Sequence, residues 1–172
     1  MASILNVDKI RATGSTTDGL TIDSSGRVLT PARPAFRVEK RASNQSAPST
    51  SKITFEHEAF DIGSNYNTST SKYVVPVAGV YFFQSILRIV ADNGTLDYGK
   101  VMLYINGSHH SDLQFVQTSN NNMNNSHLSG SCLVQLSAND EAEIYSEISG
   151  VNPLVHAHAT GGRTFFTGFL VG

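Results

Sequence analysis

Apolar and polar residues alternate in short runs along most of this chain, and Gly, Pro, Asn, Asp and Ser gather in the gaps between the runs. A period of two bounded by turn formers predicts strands. The densest apolar stretch, residues 72–90, is broken once, by Pro76 and Gly79, and reads as two consecutive strands. After Gly79 the alternation sets Tyr81, Phe83, Ser85, Leu87 and Ile89 on one face and Val80, Phe82, Gln84, Ile86, Arg88 and Val90 on the other. Both faces are largely apolar. A strand of this kind needs cover twice, from its own core and from something else, which we expect to be a second copy of the chain. Residues 164–171 have the same character: Phe165, Thr167, Phe169 and Val171 alternate with Phe166, Gly168, Leu170 and Gly172.

Further strands are predicted over 36–40, 53–60, 100–106, 112–117, 127–137 and 141–148, with the two runs above split as 72–77 and 80–90. So many short strands, with no helical period competing, predict an all-β sandwich. Residues 118–126 are an Asn-rich polar loop, either a solvated turn or a contact surface, and the loop over 150–162 is open to the same two readings. Residues 1–34 are different in kind. Leu5, Val7 and Ile10 make a short apolar patch, and 19–30 predicts a hairpin turning at Asp23-Ser24-Ser25-Gly26. A segment this short cannot hold a core alone, so it should be ordered against a partner or its own symmetry mates. Pro31-Ala32-Arg33-Pro34 reads as a stiff connector. The expected division is therefore 1–34, an attachment or trimerisation segment, and 35–172, the globular domain.

Composition narrows the functions. The chain has 172 residues and a mass of 18.5 kDa, enough for one core. Only 15% of residues are charged and the net charge is −2, which offers no field to collect nucleic acid or an anionic membrane. The single Cys132 lies in a strand-like run, so no intrachain disulfide or cysteine-based zinc cluster is expected, and a buried inert thiol is. The first residues lack the basic start and apolar stretch of a signal peptide, and no run is long enough for a membrane helix, so synthesis and solubility in a cytoplasm are expected. No nucleophile elbow, zinc-protease motif or phosphate-binding glycine loop is present. Glu56 and Glu58 share a strand face with His57 pointing away, and His109 and His110 follow the turn Asn106-Gly107; all read as surface polar residues. No catalytic residue and no cofactor is expected.

Four runs carry a family resemblance. Lys72-Tyr-Val-Val-Pro-Val77, Gly79-Val-Tyr-Phe-Phe83, residues 129–140 (Ser-Gly-Ser-Cys-Leu-Val-Gln-Leu-Ser-Ala-Asn-Asp) and Phe166-Thr-Gly-Phe-Leu170 resemble, in order and spacing, the signature runs of the complement C1q globular domain, itself similar to the tumour-necrosis-factor fold. The resemblance covers about residues 35–172 and implies a ten-stranded jelly roll that assembles as a homotrimer and binds rather than catalyses. It places Phe82, Gln84, Phe166, Gly168 and Leu170 toward neighbouring subunits, with Tyr81, Phe83, Phe165 and Phe169 inside the sandwich. Some relatives hold calcium with an acidic loop before the final strand; residues 153–162 here carry no carboxylate, so that site is not carried over. No metal is assigned. The candidate ligands, if the loop is extended, are His156 and His158, which would point the same way and gather around a three-fold axis; otherwise they are hydrogen-bonded or solvated histidines.

The N-terminal segment resembles another group. Leu5-Asn-Val-Asp-Lys-Ile10, followed by Gly19-Leu-Thr-Ile-Asp-Ser-Ser-Gly26, is similar to the leading segments of tailed-bacteriophage structural proteins, fibres and their tips above all. It stands where animal relatives carry a collagen-like stalk, and no Gly-x-y repeat is present. Together the two resemblances imply a virion protein: a trimeric fibre or tip knob attached to other virion proteins through residues 1–34, with a host surface glycan or protein as its target. The alternative is a capsid-decoration or head-fibre protein that stabilises the shell or aids weak adhesion.

Overall fold

The computed structural model describes residues 6–118 and 123–172, and every regular element in it is a strand. The first three, β1 (Lys9–Ile10), β2 (Leu20–Ile22) and β3 (Val28–Leu29), form an antiparallel meander of their own. The β2–β3 turn is the expected one. Gly26 N–H donates to the Asp23 carbonyl at 2.9 Å, the Asp23 carboxylate accepts from Ser25 N–H, and Gly26 supplies the positive φ of 78°.

The remaining strands follow in order: β4 (Ala35–Glu39), β5 (Gln45–Ser46), β6 (Ser51–Lys52), β7 (His57–Ile62), β8 (Tyr66–Asn67) and β9 (Lys72–Val74). The longer ones come next, β10 (Gly79–Ala91), β11 (Leu96–Ile105), β12 (Ser108–Gln117), β13 (Asn125–Leu136) and β14 (Glu141–Gly150), then β15 (Pro153–Val155) and β16 (Phe165–Leu170). One sheet runs β13-β10-β16-β4-β7, with β15 and β5 continuing from the far end of β10; the other runs β12-β11-β14-β9-β8, with β6 on β14. Five strands in each principal path, all antiparallel, make the ten-stranded jelly roll. β10 is bonded along both edges, to β13 on one side and to β16 and then β15 on the other.

Some boundaries move. The β7 ladder begins at His57 rather than at residue 53. Ile53 and Phe55 are buried core residues, their amides donating to the Ile144 carbonyl and the Ser71 hydroxyl. β12 begins at Ser108 rather than 112, because Asn106 and Gly107 both take positive φ and form a two-residue hairpin turn that carries pairing straight on. Asn125 already belongs to β13, while residues 119–122 of the Asn-rich loop, like Leu5 of the N-terminal patch, lie outside the described residues.

The core between the two sheets is built on aromatic rings. Phe36 stacks on Tyr73 at 4.3 Å and meets the edge of Phe166 at 4.9 Å, and Phe83 lies 5.6 Å from Phe166. Each such ring, fully withdrawn from water, stabilises the fold by roughly 1.5–3 kcal/mol before its ordering cost.

Candidate functional site

Strand pairing decides which side chains share a face. Across β13-β10-β16-β4-β7 one row of register partners reads Leu133, Phe82, Phe169, Ala35, Ile62, and the next reads Ser131, Gln84, Thr167, Arg37, Phe60. Both rows face away from the core. Leu133 is 64% exposed, Phe60 47%, Ile62 42% and Phe169 41%, and the rings of Phe82 and Phe169 are 5.3 Å apart. Thr30 and Arg33 reach onto the same side, where with Phe60, Ile62 and Phe169 they line a hollow of about 350 Å³. A contiguous apolar row across five strands is what a surface left to water avoids. The outer face of the second sheet is different. There Lys52 pairs with Glu143 at 3.0 Å, Lys72 with Glu141 at 2.6 Å and Lys100 with Asp112 at 3.2 Å.

Phe82 and Gln84 lie on the apolar face. Phe166, Gly168 and Leu170 do not, and the expectation for them is corrected. Phe166 pairs with Ser85, Gly168 with Phe83 and Leu170 with Tyr81, all on the core side of β10, and Phe166 is 0% exposed. Gly168 is where Phe83 needs room. A Cβ there would sit 2.5 Å from the Phe83 ring and 2.9 Å from the Phe82 carbonyl. The expectation that Phe165 and Phe169 lie inside the sandwich is reversed with it. Phe169 is half-exposed beside Phe82, and Phe165 is covered on the outer side by the Arg37 guanidinium, 3.9 Å from its ring centre. The physical reason is register: a strand apolar on both faces fits either way round, and only its pairing with β10 chooses. Tyr81 and Phe83 are buried in the core.

Beyond the apolar row the face turns basic. The Glu39 carboxylate accepts from Arg37 Nε at 2.9 Å and Arg41 Nη2 at 2.6 Å. Burial alone would raise its pKa, but the hydrogen bonds from Arg41 and Arg37 outweigh burial and hold it below the ordinary value. Arg88 projects beside His127, its register partner, and its Nη1 is 3.3 Å from His156 Nδ1. His156 is pulled below its ordinary pKa, first by burial and then by the Arg88 charge, with Arg163 and His158 adding to it. His156 and His158 do alternate with buried Val155 and Ala157, so both imidazoles point outward. Their Nδ1 atoms are engaged, however, His156 with Arg88 and His158 with the Thr160 hydroxyl at 2.9 Å. Among the described residues no three His, Cys, Asp or Glu side chains gather as a metal would require.

The other singled-out residues are dispersed. Glu56 caps the chain turn after β4 by accepting from the Arg41 and Ala42 amides, and His109 pairs with Asp112 at 2.8 Å on the exposed hairpin. Cys132 is half-buried on β13, its thiol pushed up in pKa by burial. What strand parity alone did not single out is that Leu133 and Ile62 complete one row and that Phe60 ends the next. Their signal lies in register, which joins residues far apart in the chain.

Comparison with known proteins gives the same frame. Residues 35–171 match the family model described as C1q domain. The solved globular domain of zebrafish complement 1qA protein is similar over 81% of this chain and 98% of its own, with a TM-score of 0.56 and 18% sequence identity, a likeness of fold. No curated protein matches.

Proposed function

The chain belongs to the C1q domain family, and on that premise we propose that it is the homotrimeric binding knob of a tailed-bacteriophage particle, attached through residues 1–34 and touching the host surface with its jelly roll. C1q domains are recognition and structural modules that commonly assemble as trimers. What supports the trimer is the apolar row Leu133-Phe82-Phe169-Ala35-Ile62, which one chain leaves facing water. Covering each large member contributes roughly 1.5–3 kcal/mol, and a closed three-fold assembly repeats the contact three times.

What supports attachment through the N-terminus is the meander. Its pairings Ile10↔Leu20 and Ile22↔Val28 put four apolar side chains on one face, with Ile10 53% and Val28 60% exposed. Another virion protein, or the same segment of the other two copies, would cover it. Light scattering at micromolar concentration should give three times the chain mass, and a monomer would end the trimer reading. Antibody labelling of intact particles should mark the tail tip. Label over the shell would make the protein a capsid-decoration or head-fibre component, and particles without label would remove the virion role.

A further inference from the structure

We propose that the basic end of the first sheet's outer face binds an oxyanion, the sulfate, phosphate or carboxylate group of a larger molecule or of a free ion, with Arg88 as its anchor and His127 and His156 beside it, and that binding tightens as pH falls. Arg88 and His127 stand directly opposite each other on β10 and β13, so they project from one face. An arginine N–H only donates. At 3.3 Å, His156 Nδ1 is therefore the acceptor, and the neutral ring carries its proton on Nε2.

Among the described residues Arg88 makes no ion pair, although it is only half-exposed. Glu39, the carboxylate on the outer face of β4, is already shared by Arg37 and Arg41. The loop before β16 adds Arg163, whose charge reaches His156, and His158 stands on the same side. On β4's continuation the buried Lys40 ammonium is turned to Thr54, with Glu56 the carboxylate in its field. Arg37, Arg41, Arg88 and Arg163 thus gather on this side of the sheet, where Glu39 is taken by two of them and Glu56 by the Arg41 and Ala42 amides, in a chain whose net charge is −2. A guanidinium with free donors and an imidazole it keeps neutral suits an incoming oxyanion, which turns their repulsion into shared attraction.

The pH dependence follows from the same contacts. In the empty site burial and the arginines hold His156 neutral; a bound anion favours its imidazolium, so binding takes up a proton. Each proton taken up raises affinity about tenfold per pH unit between the imidazole's pKa in the empty and in the filled site. All these groups come from one chain, so binding is read by titration and the trimer separately, by light scattering of the same samples.

The experiment is calorimetric titration of the intact protein with sodium sulfate, and separately with a size-defined sulfated oligosaccharide, at about pH 5.5 and about pH 7.5 under constant ionic strength. Sulfate should bind at least about tenfold tighter at the lower pH. Arg88→Gln should lose binding of both ligands, Arg88→Lys should keep part of it, and Arg27→Gln, which removes the same charge from the β2–β3 turn, should keep all of it. His156→Asn should flatten the pH dependence. Thermal melts of each variant separate lost binding from lost fold. Tighter binding of the oligosaccharide than of sulfate assigns the site to a polymeric anion, and equal affinity assigns it to a single ion. Absence of binding to the wild-type chain at about pH 5.5, or equal binding by Arg88→Gln and Arg27→Gln, overturns the proposal.

Discussion

Phe82 and Phe166 sit on adjacent strands and face opposite ways, so truncating them should have separable effects. Phe166→Ala removes a ring packed against Phe36, Phe55 and Phe83 and should lower unfolding stability by about 3–5 kcal/mol, measured by denaturant titration. Phe82→Asp should leave that stability nearly unchanged in the single chain and abolish assembly, read by light scattering. Gly168→Ala should destabilise as well, because its new methyl group meets Phe83 and a backbone oxygen rather than a flexible side-chain tip. Glu39 makes a pH prediction. Its folded pKa lies below its unfolded one, so its contribution is present above the unfolded pKa and is lost as pH falls through the folded one. Glu39→Gln should therefore lose stability at neutral pH and show a shallower loss between about pH 5 and pH 3, checked by melting temperature against pH. Alternation sets Ser85 on one side of β10 and Gln84 and Arg88 on the other, but both sides are largely apolar and which one turns inward rests on the family resemblance. The parity of β16 could not be read from the chain, since Phe165, Phe166 and Phe169 are equally apolar and only Ser85↔Phe166 and its neighbours settle the matter.

At the scale of elements, the long strands and the hairpin turns were legible, because alternation and the Asn106-Gly107 and Asp23–Gly26 turns are local signals. The two-residue strands β5, β6 and β8 were not. β5 and β6 are held by partners distant in the chain, β15 and β14, while β8 pairs with neighbouring β9, and none is long enough to show a period. The basic cluster was equally hidden, since Arg88, His127 and His156 are adjacent only after β10, β13 and the chain beyond β15 come together. The N-terminal meander allows a test at this scale. β4 takes its ladder partners from β16 and β7, both within residues 35–172, so a chain cut to that range should melt cooperatively while failing to enter particles. An unfolded product would place residues 1–34 in the domain.

Considered as a whole, the domain offers water one face of ion pairs and one face of apolar and basic bands, and this difference between its two sheets is the reason to expect an oriented assembly. The placement of β16 bears on how the fold is reached. It joins β10 to β4 in the middle of the first sheet, although its residues follow all the others of the jelly roll in the chain. During synthesis β4, β7, β10 and β13 leave the ribosome before the strand that unites them, and until Phe165–Leu170 follows they present open edges on both sides of an unfilled slot. Ladder formation there must wait for contacts more than 75 residues apart, such as Ser85 with Phe166 and Phe36 with Gly168, which makes closure late and slow. A nascent chain stalled ahead of Thr164 would expose the slot's sticky edges to its neighbours on the same polysome. The crowding of emerging chains is then the moment of greatest danger from misassociation.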